Sequence, residues 1–361
     1  MKEDRVIYDP ETGMVVNPPR QIFLDLTSRC NLKCVTCPVD YGAVSPISNG
    51  DMPFSTIERL KPWLDEADSI NLNIVGEPLL YPRFREVVGL LASPVPNLHF
   101  NTNGLGLSPE TCRFLAEKPA GSVVISLDGM ESNEPIRGVS YEVLRKKILA
   151  MLEAKRVTGL PLPMVGIAYT LMRRNLDELP RVMEDLLPHG LDMVHVQPLI
   201  IHYECLVPEN IYETAGVEGV LEKCRNIAGE QGARLTLFRS SFGPDERHED
   251  DSDERVQLGA TSERYGCMDP YYEIKISHNG AVLPCSYENF QGLNVNDLPL
   301  DAIWNHPMYR KLRMRLYNGI FSGRCARCPY LRGSALSQMD ALRPGVRHSM
   351  EARFLKNYRL T

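Results

Sequence analysis

Short β-branched runs alternate with longer amphipathic segments through the first two thirds of the chain, and this alternation restricts the fold more than any other feature. The strand-like runs are IFLDLT (22–27), INLNIV (70–75), LHFNTN (98–103), SVVISLD (122–128), MVGIAYT (164–170) and MVHVQPL (193–199). Between them lie STIERLKPWLDEA, FREVVGLLA, PETCRFLAE, YEVLRKKILAMLEAKR and LDELPRVMEDLLPH, with apolar residues near helical spacing. Strand-then-helix repetition implies parallel α/β architecture, and right-handed crossovers leave a doubly wound sheet or a barrel. Parallel strands covered on both faces read as continuous apolar runs. Here polar residues recur two apart: Asn71 and Asn73, Asn101 and Asn103, Ser126 and Asp128, His195 and Gln197. A curved, incompletely closed barrel with a polar lumen accounts for them. Any single pair reads equally well as strand-end turn residues.

At 361 residues and 43% hydrophobic, the chain is long enough for one large domain and a smaller one. The start, MKEDRVIYDPETG, has no apolar signal region, and no stretch approaches 18 uninterrupted apolar residues. The expectation is a cytoplasmic protein with no membrane partner. In that compartment thiols stay reduced, so ten cysteines point to metal ligands, catalytic groups or core residues rather than disulfides. A net charge of -6 gives no general attraction to phosphate backbones, so nucleic acid is not expected as a partner.

Three of the cysteines fall in CNLKCVTC, directly after the first strand-like run. Cys30, Cys34 and Cys37 are spaced so that one compact loop can aim all three sulfurs at one point. A structural zinc site is closed by four ligands, and no fourth is local. A four-iron cubane held by three thiols keeps one iron open for a small ligand, which explains the missing cysteine. From 235 to 266 the alternation breaks down into a charged, acidic stretch that reads as a solvated linker. A second group follows: Cys267, Cys285, and Cys325 with Cys328 in CARC. YEIKISHNGAVLPC reads as a hairpin, and LDAIWNHPMYRKLRMRLYNG as one helix ending at Gly319. Spacing alone fits structural zinc or an iron-sulfur cluster equally, and metal would supply what this small unit lacks in core.

CNLKCVTC resembles the Cys-x3-Cys-x2-Cys signature of radical S-adenosylmethionine (SAM) enzymes. VGEPLL, NTNG, and SLDG with Arg137 downstream follow in the family's order, over roughly residues 20 to 235. The residue before the third triplet cysteine, often aromatic in that family, is Thr36. Cys267, Gly280 separated by four residues from Cys285, Cys325 and Cys328 resemble the twitch subtype of the SPASM-type extension. The resemblance implies a partial (β/α)6 TIM-like barrel with a small C-terminal α+β twitch domain. The expected divisions are an extension at 1–19, the barrel at 20–235, a linker at 236–266, the twitch unit at 267–330 and a tail at 331–361.

The cofactors implied are S-adenosylmethionine and two 4Fe-4S clusters. Cys30, Cys34 and Cys37 would hold the first; Cys267, Cys285, Cys325 and Cys328 would hold the second. Carried over by motif position, Glu77 accepts from the methionine ammonium beside an approachable Gly76 backbone. Ser126 suits a ribose hydroxyl, and Arg137 suits the methionine carboxylate through its planar fork. Cys112, Cys205 and Cys224 read as bystanders. Lumen candidates for a proton acceptor are Tyr169, His195, Gln197 and Asp269. The activity implied is hydrogen abstraction from an unactivated C–H bond, fed by an external one-electron reductant of flavodoxin or ferredoxin type. The asparagines favour a small polyhydroxylated substrate (sugar, aminocyclitol or nucleoside), undergoing oxidation through the second cluster or epimerisation. The alternatives are a maturase of ribosomally made peptides and a zinc-stabilised binding protein.

Overall fold

The computed structural model describes residues 6–37, 50–92, 97–118, 121–201, 204–211, 214–237, 256–257, 267–285, 292–318, 320–321 and 343–344. A hairpin, β1 (Ile7–Asp9) and β2 (Met14–Val15), precedes the alternating region. Then come β3 (Gln21–Leu24), α1 (Phe54–Glu66), β4 (Ser69–Asn71), α2 (Phe84–Leu91), β5 (Leu98–Thr102) and α3 (Pro109–Glu117). The series continues with β6 (Ser122–Ser126), α4 (Asn133–Arg137), α5 (Tyr141–Thr158), β7 (Met164–Leu171), α6 (Glu178–Leu186), β8 (Met193–Pro198), α7 (Val217–Gln231) and β9 (Arg234–Leu237). The C-terminal part contributes β10 (Val256–Gln257), α8 (Asp269–Tyr272), β11 (Glu273–Ile276), β12 (Val282–Leu283), α9 (Leu300–Trp304), α10 (Pro307–Tyr317), β13 (Ile320–Phe321) and β14 (Arg343–Pro344).

Strands β3 to β9 pair in chain order, all parallel, inside a nine-stranded sheet ordered β12-β11-β3-β4-β5-β6-β7-β8-β9. No pairing joins β9 to β12 among the described residues, so this is a partial TIM-like barrel. Side chains alternate across it because successive residues of a strand point to opposite faces. Ile22, Ile70, Leu98, Phe100, Val123, Ile125, Val165, Ile167 and Val194 are fully buried on the helix side. The registers place His99, Asn101, Ser126, Ala168, His195 and Gln197 together on the other, lumen-facing side.

Several expectations change at this point. The first two strands are shorter than the apolar runs: β3 ends at Leu24 and β4 at Asn71. Asn71 stops its own strand, since its Oδ1 accepts the N–H of Asn73 at 3.1 Å. The expected barrel-to-linker boundary at 235 cuts through β9, a seventh parallel strand. Most of 236–266 lies outside the described residues. The hairpin is present, with Ile276 opposite Val282 and Gly280 at φ +84° in its turn. The single helix expected over 300–319 is two, because Pro307 cannot continue a helix through its own position and starts α10 instead.

The C-terminal unit is built onto the barrel sheet. β11 pairs in parallel with β3, Glu273 to Gln21 through Ile276 to Leu24. At its base Arg313 of α10 is wholly buried. It donates to Pro270 O at 2.7 Å and Asn305 Oδ1 at 2.9 Å, and its guanidinium carbon lies 4.3 Å from the Trp304 ring centre. Burial pushes its pKa down to about 9, which still leaves it charged at neutral pH.

Candidate cofactor and cluster site

The three cysteines lie on a loop leaving the carboxyl end of β3. Cys30 is exposed, Cys34 and Cys37 half-buried. The loop is tied at both margins. Ser28 N donates to Gly50 O and Gly50 N to Ser28 Oγ, each at 3.0 Å, while Val35 N donates to Ile136 O at 2.9 Å. Cys37 N closes back on Cys34 O at 3.0 Å. Burial raises the pKa of Cys30, and that of Cys34 to about 11, each thiol also feeling the charge of Cys37. Among the described residues no group of three Cys, His, Asp or Glu side chains closes tightly enough for a single metal ion. A donor set of three thiols on one anchored loop fits a cluster with one open iron.

Gly76 and Glu77 stand against this loop. A Cβ on Gly76 would lie 1.8 Å from Thr27 O and 3.1 Å from Arg29 O, and Glu77 N donates to Arg29 O at 2.9 Å. The glycine therefore admits the chain just before Cys30, a close approach the sequence reading assigned to the cofactor. Glu77 is buried, and its carboxylate already has three donors: Leu79 N (3.1 Å), Thr102 Oγ1 (2.8 Å) and Asn103 N (2.6 Å). Burial outweighs those hydrogen bonds and raises its pKa. Asn103 carries the connection onward, its Nδ2 donating to Asn31 Oδ1 at 2.7 Å and lying 3.9 Å from Cys30 Sγ.

Arg137, at the end of α4, is no surface ion pair. Its Nε lies 2.7 Å from Oδ2 of the fully buried Asp128, and its Nη1 lies 3.9 Å from Cys34 Sγ. Asp128 also accepts Thr170 N at 2.7 Å. Ser126 is half-buried at the carboxyl end of β6, on the lumen side.

The proton-acceptor candidates separate. Tyr169 is on the helix side, opposite Val196, with its hydroxyl donating to Asn175 O at 2.7 Å. Asp269 begins α8, at the amino end of the parallel strands and so at the opposite end from the cysteine loop. There it hydrogen-bonds Glu273, whose partner is Lys275 at 2.5 Å, and burial raises the pKa of Asp269 and brings that of Glu273 to about 7. His195 and Gln197 do face the lumen; burial lowers the His195 pKa, and its Nε2 lies 3.0 Å from Met193 Sδ. The asparagines are partly spent on the backbone. Asn73 Oδ1 accepts Asn101 N at 2.9 Å and Asn103 Oδ1 accepts Leu105 N at 3.0 Å.

Of the second cysteine group, Cys267 and Cys285 are half-buried and flank the β11–β12 hairpin in the chain, while Cys325 and Cys328 lie outside the described residues. Cys112 and Cys224 are buried in helices and Cys205 is exposed. Sequence reading missed Asp25. This buried carboxylate, five residues before Cys30, accepts Ile74 N at 3.1 Å and Val75 N at 3.2 Å through Oδ1. An acid inside an otherwise apolar run is the signal that marks it.

Residues 24–186 match the family described as Radical SAM superfamily, and residues 267–329 match SPASM, an iron-sulfur cluster-binding domain. The chain is 26% identical to the AdoMet-dependent heme synthase of Methanosarcina barkeri over 328 residues, 88% of this chain and 90% of that one. It is 24% identical to the PqqA peptide cyclase of Streptomyces rochei over 347 residues, 89% and 83% of the two chains. With the mycofactocin maturase MftC of Mycobacterium tuberculosis it shares 31% over 181 residues, spanning 48% of this chain and only 43% of that protein. Among solved structures, Streptococcus suis SuiB bound to S-adenosylmethionine superposes with a TM-score of 0.65 at 16% identity, covering 90% of this chain and 73% of that one.

Proposed function

Because this chain is a radical SAM enzyme with a C-terminal iron-sulfur cluster-binding domain, we propose that it is a maturase, acting on an unactivated C–H bond of a ribosomally made peptide. The alignment with a peptide cyclase over 89% of the chain carries this reading. The small polyhydroxylated substrate rested on lumen asparagines, and the use of Asn71, Asn73 and Asn103 by nearby backbone removes much of that support. A tetrapyrrole is the second reading, favoured by the alignment with a heme synthase over 90% of that protein.

The residues divide the work as follows. Cys30, Cys34 and Cys37 hold the first 4Fe-4S cluster, and Cys267, Cys285, Cys325 and Cys328 the auxiliary one. With S-adenosylmethionine bound, the first cluster supplies one-electron cleavage of the sulfonium and hydrogen abstraction. Arg137 keeps its Nε on Asp128 and presents the rest of its fork to the methionine carboxylate. Glu77, oriented by its three donors, faces the ammonium with its remaining lone pair. Ser126 takes a ribose hydroxyl. His195, kept neutral by burial, is the lumen group suited to take a proton from the substrate. Held by those four cysteines, the auxiliary cluster would offer an acceptor for an electron left on the substrate, and a flavodoxin or ferredoxin type donor would provide the first electron.

The test is anaerobic turnover of the reconstituted chain with three substrate sets: peptides, porphyrins bearing propionates, and polyols or aminocyclitols. Mass change and 5′-deoxyadenosine are followed together. Substrate-dependent 5′-deoxyadenosine with a modified peptide is the expected result. Modification of the porphyrin alone establishes the second reading, and of a polyol alone restores the small-metabolite one.

A further inference from the structure

The tip of the β11–β12 hairpin reaches out of the cluster-binding unit onto the cofactor loops of the barrel. His278, on that turn, is 3% exposed, and its Nδ1 lies 3.9 Å from Asp25 Oδ2. This is beyond hydrogen-bond reach and close enough for charge and packing to act. Oδ1 of the same carboxylate faces three successive peptides, Ile74 N at 3.1 Å, Val75 N at 3.2 Å and Gly76 N at 3.5 Å. Asp25 is 1% exposed, so the orientation of its carboxylate fixes where the Gly76–Glu77 segment sits. The imidazole also packs on Gly50, where a Cβ would lie 3.2 Å from its Cδ2. Gly50 is the residue bonded to Ser28 across the neck of the cysteine loop. One side chain thus touches both sides of the triplet: Asp25 before it, whose carboxylate shapes the loop between β4 and α2, and Gly50 after it. The base of its hairpin is flanked by Cys267 and Cys285.

We propose that His278 is a positioning residue through which the cluster-binding unit sets the barrel's affinity for S-adenosylmethionine. The imidazole backs the Asp25 carboxylate, Asp25 holds the peptides of Ile74 to Gly76, and the affinity follows from where those peptides stand. A group that orients a ligand-holding loop without touching the ligand acts as the hydrogen-bonding partners of metal-bound side chains do. The proposal rests on the assignment of Gly76 and Glu77 to the cofactor.

The experiment uses the full chain, anaerobically reconstituted, with S-adenosylmethionine binding measured by equilibrium dialysis and iron and sulfide counted on the same samples. His278→Ala should raise the dissociation constant about tenfold at unchanged iron content, because the Asp25 carboxylate loses the group packed behind it and the loop it holds is free to shift. His278→Gln, which keeps a donor and most of the bulk, should restore it to within about threefold of the parent value. Glu77→Ala serves as the control for the loop itself. A normal constant in His278→Ala beside lost binding in Glu77→Ala overturns the coupling alone. Normal constants in both overturn the assignment of the loop and the coupling with it. Iron loss in His278→Ala in proportion to lost affinity assigns the residue a structural part and also overturns the proposal.

Discussion

A methyl group on Gly76 would sit 1.8 Å from Thr27 O and 2.7 Å from its carbonyl carbon, both backbone atoms that no rotamer change can move. The displacement in Gly76→Ala falls on Thr27 to Arg29, immediately before Cys30. Overpacking of this kind costs about 3 kcal/mol, and here it also deforms a cluster loop. The expected outcome is loss of about half the iron, one cluster of two, read by iron analysis beside a urea melt. Glu77→Gln tests the neighbouring residue with almost no change in shape. Its amide can present only one accepting oxygen to Leu79 N, Thr102 Oγ1 and Asn103 N, so one buried donor goes unpaired. The cost is about 1–3 kcal/mol, with iron content near normal and weaker S-adenosylmethionine binding. At this scale the cysteine triplet showed in its spacing and the Gly-Glu pair in its resemblance to a family motif, and the structure sets the two against each other. Asp25 and His278 were not, since Asp25 works on peptides 49 to 51 positions away and meets His278 from another unit.

The alternation of strands and helices was legible because burial of one face repeats with a fixed period. What escaped was governed by individual side chains at element ends. Asn71 closes β4 early, Pro307 breaks one expected helix into α9 and α10, and β9 is hidden at the edge of a charged stretch with only Leu235 and Leu237 as apolar residues. The two-residue spacing of lumen positions was right for His195 and Gln197, while Tyr169, chosen for its hydroxyl, pairs with Val196 and points into the helix layer. Asp128 shows how one such end joins three elements. It follows β6, pairs with Arg137 of α4 and accepts Thr170 N from β7. Replacing it by Asn removes the charge opposite a 13% exposed guanidinium. Breaking a buried pair from one side costs about 3–5 kcal/mol, so Asp128→Asn should lower the urea midpoint accordingly, while Arg137→Ala with Asp128→Asn together should cost less than the sum.

At the scale of the whole molecule, the cluster-binding unit shares a sheet with the barrel. β11 lies beside β3 with Ile274 and Ile276 fully buried, and β3 leads directly into Cys30. That continuity was not legible, because the pairing joins segments some 250 residues apart across the charged stretch. It bears on the variant that removes both Cys325 and Cys328. Replacing the two by Ala deprives the auxiliary cluster of half its proposed ligands, and metal binding contributes folding free energy to a small unit. Two features of the unit do not depend on metal: the apolar seam of β11 against β3, and the buried Arg313 with Trp304 and Tyr309 around it. The barrel cluster should therefore survive, and the variant should retain about half its iron and still cleave S-adenosylmethionine. Deuterium from labelled substrate should still appear in 5′-deoxyadenosine, because abstraction needs only the barrel. Oxidised product should fall by at least about tenfold, since the electron left on the substrate has lost its acceptor. Circular dichroism verifies that the sheet is intact. Normal product yield from a folded variant lacking the second cluster would leave that cluster a structural part only, and loss of cleavage with the fold intact would mean that β11 transmits the damage through β3 into the cysteine loop.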